Sequence, residues 1–264
     1  MEIFQKPCSI ISHAKLNETV HDIWVYSPKI ALSAKPGQFV NILVPGHFLR
    51  RPISICETLG ETLRLVFEER GEGTKALGKL MPGDELDILG PLGENGFSTD
   101  KYSSAILVGG GIGTPPLKFC KNKLAKSATV LGFRTDKQVI LAGEFFNVQV
   151  CTDDGSRGHH GNIGKPLEKF LKTGAYEVIM ACGPKPMLKT VVNLAEKYNI
   201  PVEVSLEERM ACGAGACLGC ACKMKTVDRQ SESNFGSIGS TAIVSYPRVC
   251  KDGPVFDGKA AVFC

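Results

Sequence analysis

The pattern of apolar and polar positions changes character twice along this chain of 264 residues. Up to about Phe97 it consists of short β-rich runs, Ile23 to Tyr26, Gln38 to Leu43, Leu63 to Glu68 and Glu85 to Leu89, separated by turns such as Pro36-Gly37, Pro82-Gly83 and Pro91-Leu92-Gly93. Strand-like runs between Gly and Pro turns predict an antiparallel barrel. From Ser104 the texture becomes strand then helix. Strands are predicted at Ala105 to Val108, Ala128 to Phe133, Val148 to Thr152, Glu177 to Ala181 and Val202 to Leu206. Between them fall helices at Pro115 to Lys126, near Lys137 to Phe145, at Lys165 to Lys172 and at Pro184 to Tyr198. That alternation predicts a parallel sheet covered by helices on both faces. A third, cysteine-bearing piece follows Glu207, and its Ser/Gly-rich stretch Ser231 to Ser240 is expected to be a loop. The expected divisions are residues 1–100, 101–207 and 208–264.

Composition narrows the classes. A chain this long that is 43% hydrophobic can bury a sizeable core, which excludes disorder. The balance of 31 Lys+Arg against 27 Asp+Glu, without a long basic run, argues against nucleic acid as a partner. Met1 to Ile11 lacks the pattern of a secretory signal, and no stretch offers about 18 unbroken apolar residues, so a cytoplasmic protein that does not engage a membrane is expected. Eleven cysteines are an odd number for a disulfide scaffold. Six of them, Cys8, Cys56, Cys120, Cys151, Cys182 and Cys264, are scattered, and all but Cys182 read as small buried hydrophobes.

The other five lie between Cys212 and Cys250. Cys212-Gly-Ala-Gly-Ala-Cys217-Leu-Gly-Cys220 has C-x4-C-x2-C spacing, and Cys250 completes four thiolates in the plant-ferredoxin pattern for a [2Fe-2S] cluster. Small residues between the ligands let the loop fold round a cluster and aim N–H groups at its sulfurs. Structural zinc is the alternative, although zinc sites more often pair two short knuckles. Cys222, two residues past Cys220, is a rival for the third ligand.

Two further motifs carry chemistry. Gly109-Gly110-Gly111-Ile112-Gly113-Thr114-Pro115-Pro116 joins a predicted strand to a predicted helix, where glycines admit a pyrophosphate to the backbone and the helix N-terminus favours the anion. It departs from the standard dinucleotide fingerprint, because Thr114 stands at the third glycine. Asp153-Asp154-Gly155 and Cys182-Gly183-Pro184 fall at later strand ends, where open α/β sheets bind ligands. In the barrel region, Arg50-Arg51-Pro52-Ile53-Ser54 and Phe67-Glu68-Glu69-Arg70-Gly71-Glu72-Gly73-Thr74 offer a guanidinium for a phosphate, a hydroxyl for a flavin ring and further N–H and O–H donors. An ordinary strand and polar turn would look the same.

Taken in order, these motifs resemble the electron-transfer subunits of type B dihydroorotate dehydrogenase, in the ferredoxin reductase superfamily. The resemblance runs nearly end to end, through Leu49 to Ser54, Gly109 to Leu117, Leu131 to Phe133, Thr152 to Gly155, Cys182 to Pro184, Glu207 to Gly213 and Val249 to Phe256. It implies an FAD-binding β-barrel, a Rossmann-like NAD-binding domain and a small C-terminal [2Fe-2S] domain. By position it implies FAD at Arg51, Pro52, Ile53, Ser54, Val66, Phe67, Glu68, Gly73 and Thr74. NAD is implied at Gly109, Gly110, Gly111, Gly113, Thr114, Pro115, Asp153, Cys182, Gly183 and Pro184, and the cluster at Cys212, Cys217, Cys220 and Cys250. Ser54 is the candidate near flavin N5, and Cys182 a positional residue near the nicotinamide. The implied partner is an FMN-containing subunit that oxidises dihydroorotate in pyrimidine synthesis, two copies of each chain, with electrons passing to NAD+. A reductase that feeds NAD(P)H electrons to a ferredoxin or oxygenase would use the same centres. Two departures stand out: Glu68 replaces a common arginine, and the 29 residues from 221 to 249 require an insertion around Thr226 to Tyr246 to loop out.

Overall fold

The computed structural model describes residues 2–227 and 242–263. Six strands close into a barrel: β1 (Phe4–Lys15), β2 (Val20–Tyr26), β3 (Phe39–Leu43), β4 (Arg51–Leu59), β5 (Thr62–Glu68) and β6 (Glu85–Leu92). Their order is β1-β2-β5-β4-β3-β6, every pair is antiparallel, and closure leaves no free sheet edge. Val40, Ile42, Ile53, Ile55, Leu63 and Leu65 fill the interior, with the short helices α1 (Pro28–Ser33) and α2 (Glu72–Leu77) beside it. β1 lies outside the predicted runs. Of its twelve residues only Cys8 and Ile10 are buried, too few to give a period-two signal.

The second layer is a sheet of β7 (Ser104–Gly110), β8 (Lys126–Phe133), β9 (Val148–Thr152), β10 (His159–His160), β11 (Val178–Cys182), β12 (Val202–Ser205) and, from the cysteine-bearing segment, β15 (Val255–Asp257). The order is β10-β9-β8-β7-β11-β12-β15, parallel except for β15. Side chains alternate as a pleated sheet requires. Ala105 and Leu107 share a core with Leu117 and Cys120 of α3 (Thr114–Lys123), and Ile106 and Val108 share one with α4 (Gly164–Leu171) and α5 (Lys185–Lys197). The predicted helix near Lys137 to Phe145 is instead two 3₁₀ turns, Asp136–Gln138 and Ala142–Glu144. Leu141 between them has φ 57°, a left-handed conformation that no α-helix accommodates. The chain builds outward from β7 on one side and then returns to β11 on the other. Such a reversal opens a crevice at the carboxyl ends of the strands.

The described ends of the stretch between Cys220 and Cys250 run side by side. β13 (Met224–Val227) and β14 (Ala242–Ser245) form an antiparallel ribbon, while the predicted loop Ser231 to Ser240, like Cys264, lies outside the described residues. At the base of the ribbon Cys222 N–H donates to the Pro247 carbonyl (2.9 Å) and Val249 N–H to that of Cys220 (3.1 Å). The two ends of the insertion are therefore held together, which returns Cys250 to Cys220.

Barrel and sheet are joined by charge as well as by packing. Buried Arg64 on β5 bonds Asp22 (2.7 Å), Glu57 (2.7 Å) and, from the turns beside the parallel sheet, Glu144 (2.7 Å). Lys118 of α3 meets Glu57 and Glu144, each at 3.5 Å. Removing one member of such a buried network costs about 3–5 kcal/mol. Because α3 begins at the glycine-rich turn and β5 runs into Val66 to Glu68, the network fixes these two candidate ligand segments relative to each other.

Candidate functional site

The crevice at the ends of β7 and β11 is a cleft of about 770 Å³. Gly110, Gly111, Gly113, Asp153, Gly183 and Pro184 line it, and Glu68 and Arg70 reach it from the barrel. The glycines are needed for contact. A Cβ on Gly113 would collide with the Cys182 carbonyl, and one on Gly183 would lie 3.0 Å from Gly110 and 2.6 Å from Met187. Gly109, Thr114, Pro115 and Cys182 stand behind this wall rather than in the lining. Thr114 is fully buried, and its Oγ1 has no hydrogen-bond partner among the described residues. A turn of glycines lining the cleft at a helix start fits a bound dinucleotide phosphate. Burial raises the Cys182 thiol far above its ordinary range, which keeps it neutral.

A second group lies on the barrel. The Arg51 guanidinium packs on Gly73, where any Cβ would displace it, and donates to the Leu49 carbonyl. Among the described residues it has no carboxylate partner, in contrast to Arg50, which bonds Asp87 (3.0 Å) and the Asn41 carbonyl (3.1 Å) and so braces β3 against β6. An unpaired guanidinium over a glycine fits a phosphate. The Thr74 hydroxyl is occupied: it accepts from Arg70 N–H (2.8 Å) and donates to the Gly71 carbonyl (3.1 Å). Glu68 pairs with Arg70 at 2.8 Å.

Between these groups β4 and β5 separate. Their pairing runs from Leu59 and Thr62 to Ile55 and Leu65 and goes no further, leaving Ser54 opposite Val66 to Glu68 without a ladder between them. The Ser54 hydroxyl has no partner among the described residues. Side chains on β5 are less available than the sequence suggests, since Val66 is buried against the sheet and Phe67 points into the barrel, stacked on His21 at 5.2 Å. Ile53 likewise faces the interior, while Pro52 is exposed.

The cysteine loop forms a third group on the outer face of β3 and β6. Phe39 and Leu92 share a core with Cys220, Cys222, Val249 and Cys250. Gly213 (φ 68°) and Gly215 (φ 84°) supply the left-handed residues that curl the loop, which Leu218 (φ 57°) continues. Arg248 clamps it, donating to the Gly215 carbonyl (2.9 Å) while paired with Asp252 (2.9 Å). Ala214 N–H and Cys217 N–H point at Cys212 Sγ (3.4 and 3.5 Å), and Cys250 N–H points at Cys220 Sγ (3.4 Å). Burial works to raise the Cys212 thiol, but those two N–H groups and the Cys217 thiol outweigh it and bring it down to about 6. Burial and the Cys220 thiol push Cys250 up to about 12. Cys222 turns away, its Sγ 3.5 Å from the Pro247 carbonyl. The thiols thus come as two pairs, 212 with 217 and 220 with 250. Among the described residues no three His, Cys, Asp or Glu side chains converge on a single-ion site. Two pairs with backbone N–H groups at the sulfurs suit a two-iron cluster better than one zinc ion.

Comparison with known proteins agrees. Residues 207–234 match the iron–sulfur cluster binding domain of dihydroorotate dehydrogenase B. The chain is 39% identical to the dihydroorotate dehydrogenase B (NAD(+)) electron transfer subunit of Caldanaerobacter subterraneus subsp. tengcongensis, over 86% of this chain and 87% of that one. It is 37% identical to the subunit of the same name from Clostridium perfringens, over 90% and 92%. The chain belongs to this family of electron-transfer subunits. Among solved structures it resembles an NADH-dependent reduced ferredoxin-NADP oxidoreductase (TM-score 0.79, 30% identity, 97% of this chain and 90% of that one). It shares its fold with the ferredoxin reductase of carbazole 1,9a-dioxygenase (TM-score 0.64, 18% identity, 77% and 69%).

Several residues of this family member escape a reading of motifs. Arg248 is a strut whose partner Gly215 is 33 residues away, and Gln138, Asn162 and Thr190 reach the cleft from separate loops and α5. Asn41 on β3 touches the cysteine loop through Gly213. No local spacing signals these contacts.

Proposed function

We propose that this chain is the cytoplasmic electron-transfer subunit of an NAD-linked dihydroorotate dehydrogenase of pyrimidine biosynthesis. It holds FAD and one [2Fe-2S] cluster and serves an FMN-containing partner subunit, two copies of each chain, that oxidises dihydroorotate. The observation that carries this reading is the placement of the two thiol pairs on the outside of the barrel whose β4 carries Arg51 and Ser54, with the glycine-lined cleft opening beside β5. When bound, FAD converts hydride exchange with nicotinamide into single-electron exchange with an iron–sulfur centre.

The residues divide the remaining work. Arg51 holds an FAD phosphate, the gap between Ser54 and Val66 to Glu68 admits the ring, and the Ser54 hydroxyl offers a hydrogen bond near N5. Gly110 to Gly113, at the start of α3, let NAD approach the backbone, while Gly183 and Pro184 close the opposite wall. Cys182, buried and neutral, fills space beneath the nicotinamide and does not attack it. Cys212, Cys217, Cys220 and Cys250 ligate the cluster, and the N–H groups at their sulfurs favour its reduced state. The likeness to a ferredoxin-NADP oxidoreductase supports a second reading, a reductase running electrons outward to a ferredoxin.

The purified chain should be coloured by flavin and cluster, oxidise NADH with an artificial dye, and leave dihydroorotate untouched. A colourless, zinc-containing protein would end the proposal. Reduction of a ferredoxin, with no activity beside any FMN subunit, would favour the second reading.

A further inference from the structure

Asn41 is a polar side chain only 1% exposed, set in the apolar seam where the barrel meets the cysteine loop. Two features of the strands put it there. A bulge between β3 and β6 at Phe39 and Asn41 shifts the register, pairing Phe39 with Leu92 but Asn41 with Leu89, and bulges re-aim the side chains they carry. On its other edge β3 pairs Asn41 with Pro52 and Phe39 with Ser54. Directly paired residues share a face of the sheet, so the Asn41 amide lies on the same outer face as Pro52 and Ser54.

The amide then faces two ways. Nδ2 lies 3.5 Å from the carbonyl of Cys212, at the long limit of a hydrogen bond, and its amide packs so closely on Gly213 that no Cβ fits there. Oδ1 is buried and has no partner among the described residues. A buried amide oxygen without a donor is rare in folded proteins and points to a donor brought by a bound group. No other hydrogen bond to a cysteine of this loop comes from a side chain of the barrel among the described residues.

We propose that Asn41 is the positioning residue that couples the two redox sites. Nδ2 fixes the Cys212 end of the cluster loop, and Oδ1 accepts a hydrogen bond from the flavin on the Pro52–Ser54 face. The proposal rests on the functional reading above. Its step is the passage of one electron between FAD and the cluster, with no bond made or broken at Asn41. Holding the Cys212 carbonyl also holds the loop that aims Ala214 and Cys217 N–H groups at Cys212 Sγ. Freeing the carbonyl loosens those donors and lowers the cluster's reduction potential.

The test mixes NADH with the cofactor-loaded protein and follows flavin bleaching optically and cluster reduction by freeze-quench electron paramagnetic resonance. In Asn41→Leu, similar in size without hydrogen bonds, the rate of cluster reduction relative to that of flavin reduction in the same sample falls by about tenfold, the scale of one lost hydrogen bond. A redox titration of the cluster gives a more negative midpoint potential than wild type. Should Asn41→Leu not retain its cluster, Asn41→Val, which suits a strand and can neither donate nor accept a hydrogen bond, shows the same lower potential. Unchanged relative rate and potential in whichever variant is loaded overturns the role of Asn41 while leaving the functional reading intact. Wild-type protein that binds neither flavin nor cluster overturns both.

Discussion

The contact between Arg51 and Gly73 allows a prediction to be worked from geometry. Arg51 makes no ion pair among the described residues, and its recorded protein partners are the Leu49 and Arg50 carbonyls and His47. Arg51→Ala therefore costs the empty protein little. What it removes is a charge-assisted bond to a phosphate, worth roughly 1.5 to 3 kcal/mol, or about tenfold to a hundredfold in FAD affinity. Gly73→Ala should act through the same guanidinium, because the new methyl occupies the position of Arg51 Nε. The two losses should not add: once Arg51 is alanine, the methyl at position 73 has nothing to displace, and the double variant should bind FAD about as the single Arg51→Ala does. FAD titration into apoprotein, followed by flavin fluorescence, gives the four dissociation constants, with thermal melts of the apoproteins as a control. An Arg51→Ala protein with wild-type affinity would remove this arginine from the site. Additive losses would mean that Gly73 contacts the flavin directly.

Two further outcomes are expected. Serine at Cys212, Cys217, Cys220 or Cys250 should abolish the reduced-cluster paramagnetic signal while Cys222→Ser retains it, and the reverse result for Cys220 and Cys222 would show that the ligand had been misassigned. The hydrogen bond from Arg64 holds the Glu144 carboxyl below the ordinary range, so the stability it confers is complete above about pH 4.3 and is lost as pH falls through the lower folded value. The melting-temperature advantage of wild type over Glu144→Gln should then vanish in acid, and an advantage that persisted there would contradict the pairing.

Much of this architecture is written locally. Short β-rich runs between Gly and Pro turns marked the barrel, and the glycines from 109 to 113 with two prolines marked the cleft, because sterics of a tight turn act over a few residues. The cysteine spacing marked the cluster loop for the same reason. What stayed hidden depends on distant partners. β1 carries only two buried residues, so its membership of the barrel follows from β2 and β6 and not from its own pattern. The segment 137–145 has helical composition, yet Leu141 takes a left-handed turn that delivers Glu144 to Arg64, 80 residues away. Thr74 carries the hydroxyl expected of a phosphate donor but spends it on its own loop, and Phe67 faces the barrel. Asn41 has no motif at all.

The central claim is a division of labour between two proteins, and one coupled assay tests it most directly. Mixed with its FMN-containing partner, the chain should support reduction of NAD+ by dihydroorotate. A Cys217→Ser variant that keeps its FAD should lose this coupled turnover while still reducing an artificial dye with NADH, because hydride exchange with FAD needs no cluster. Coupled turnover that survived the loss of the cluster, or oxidation of dihydroorotate by this chain alone, would contradict the account.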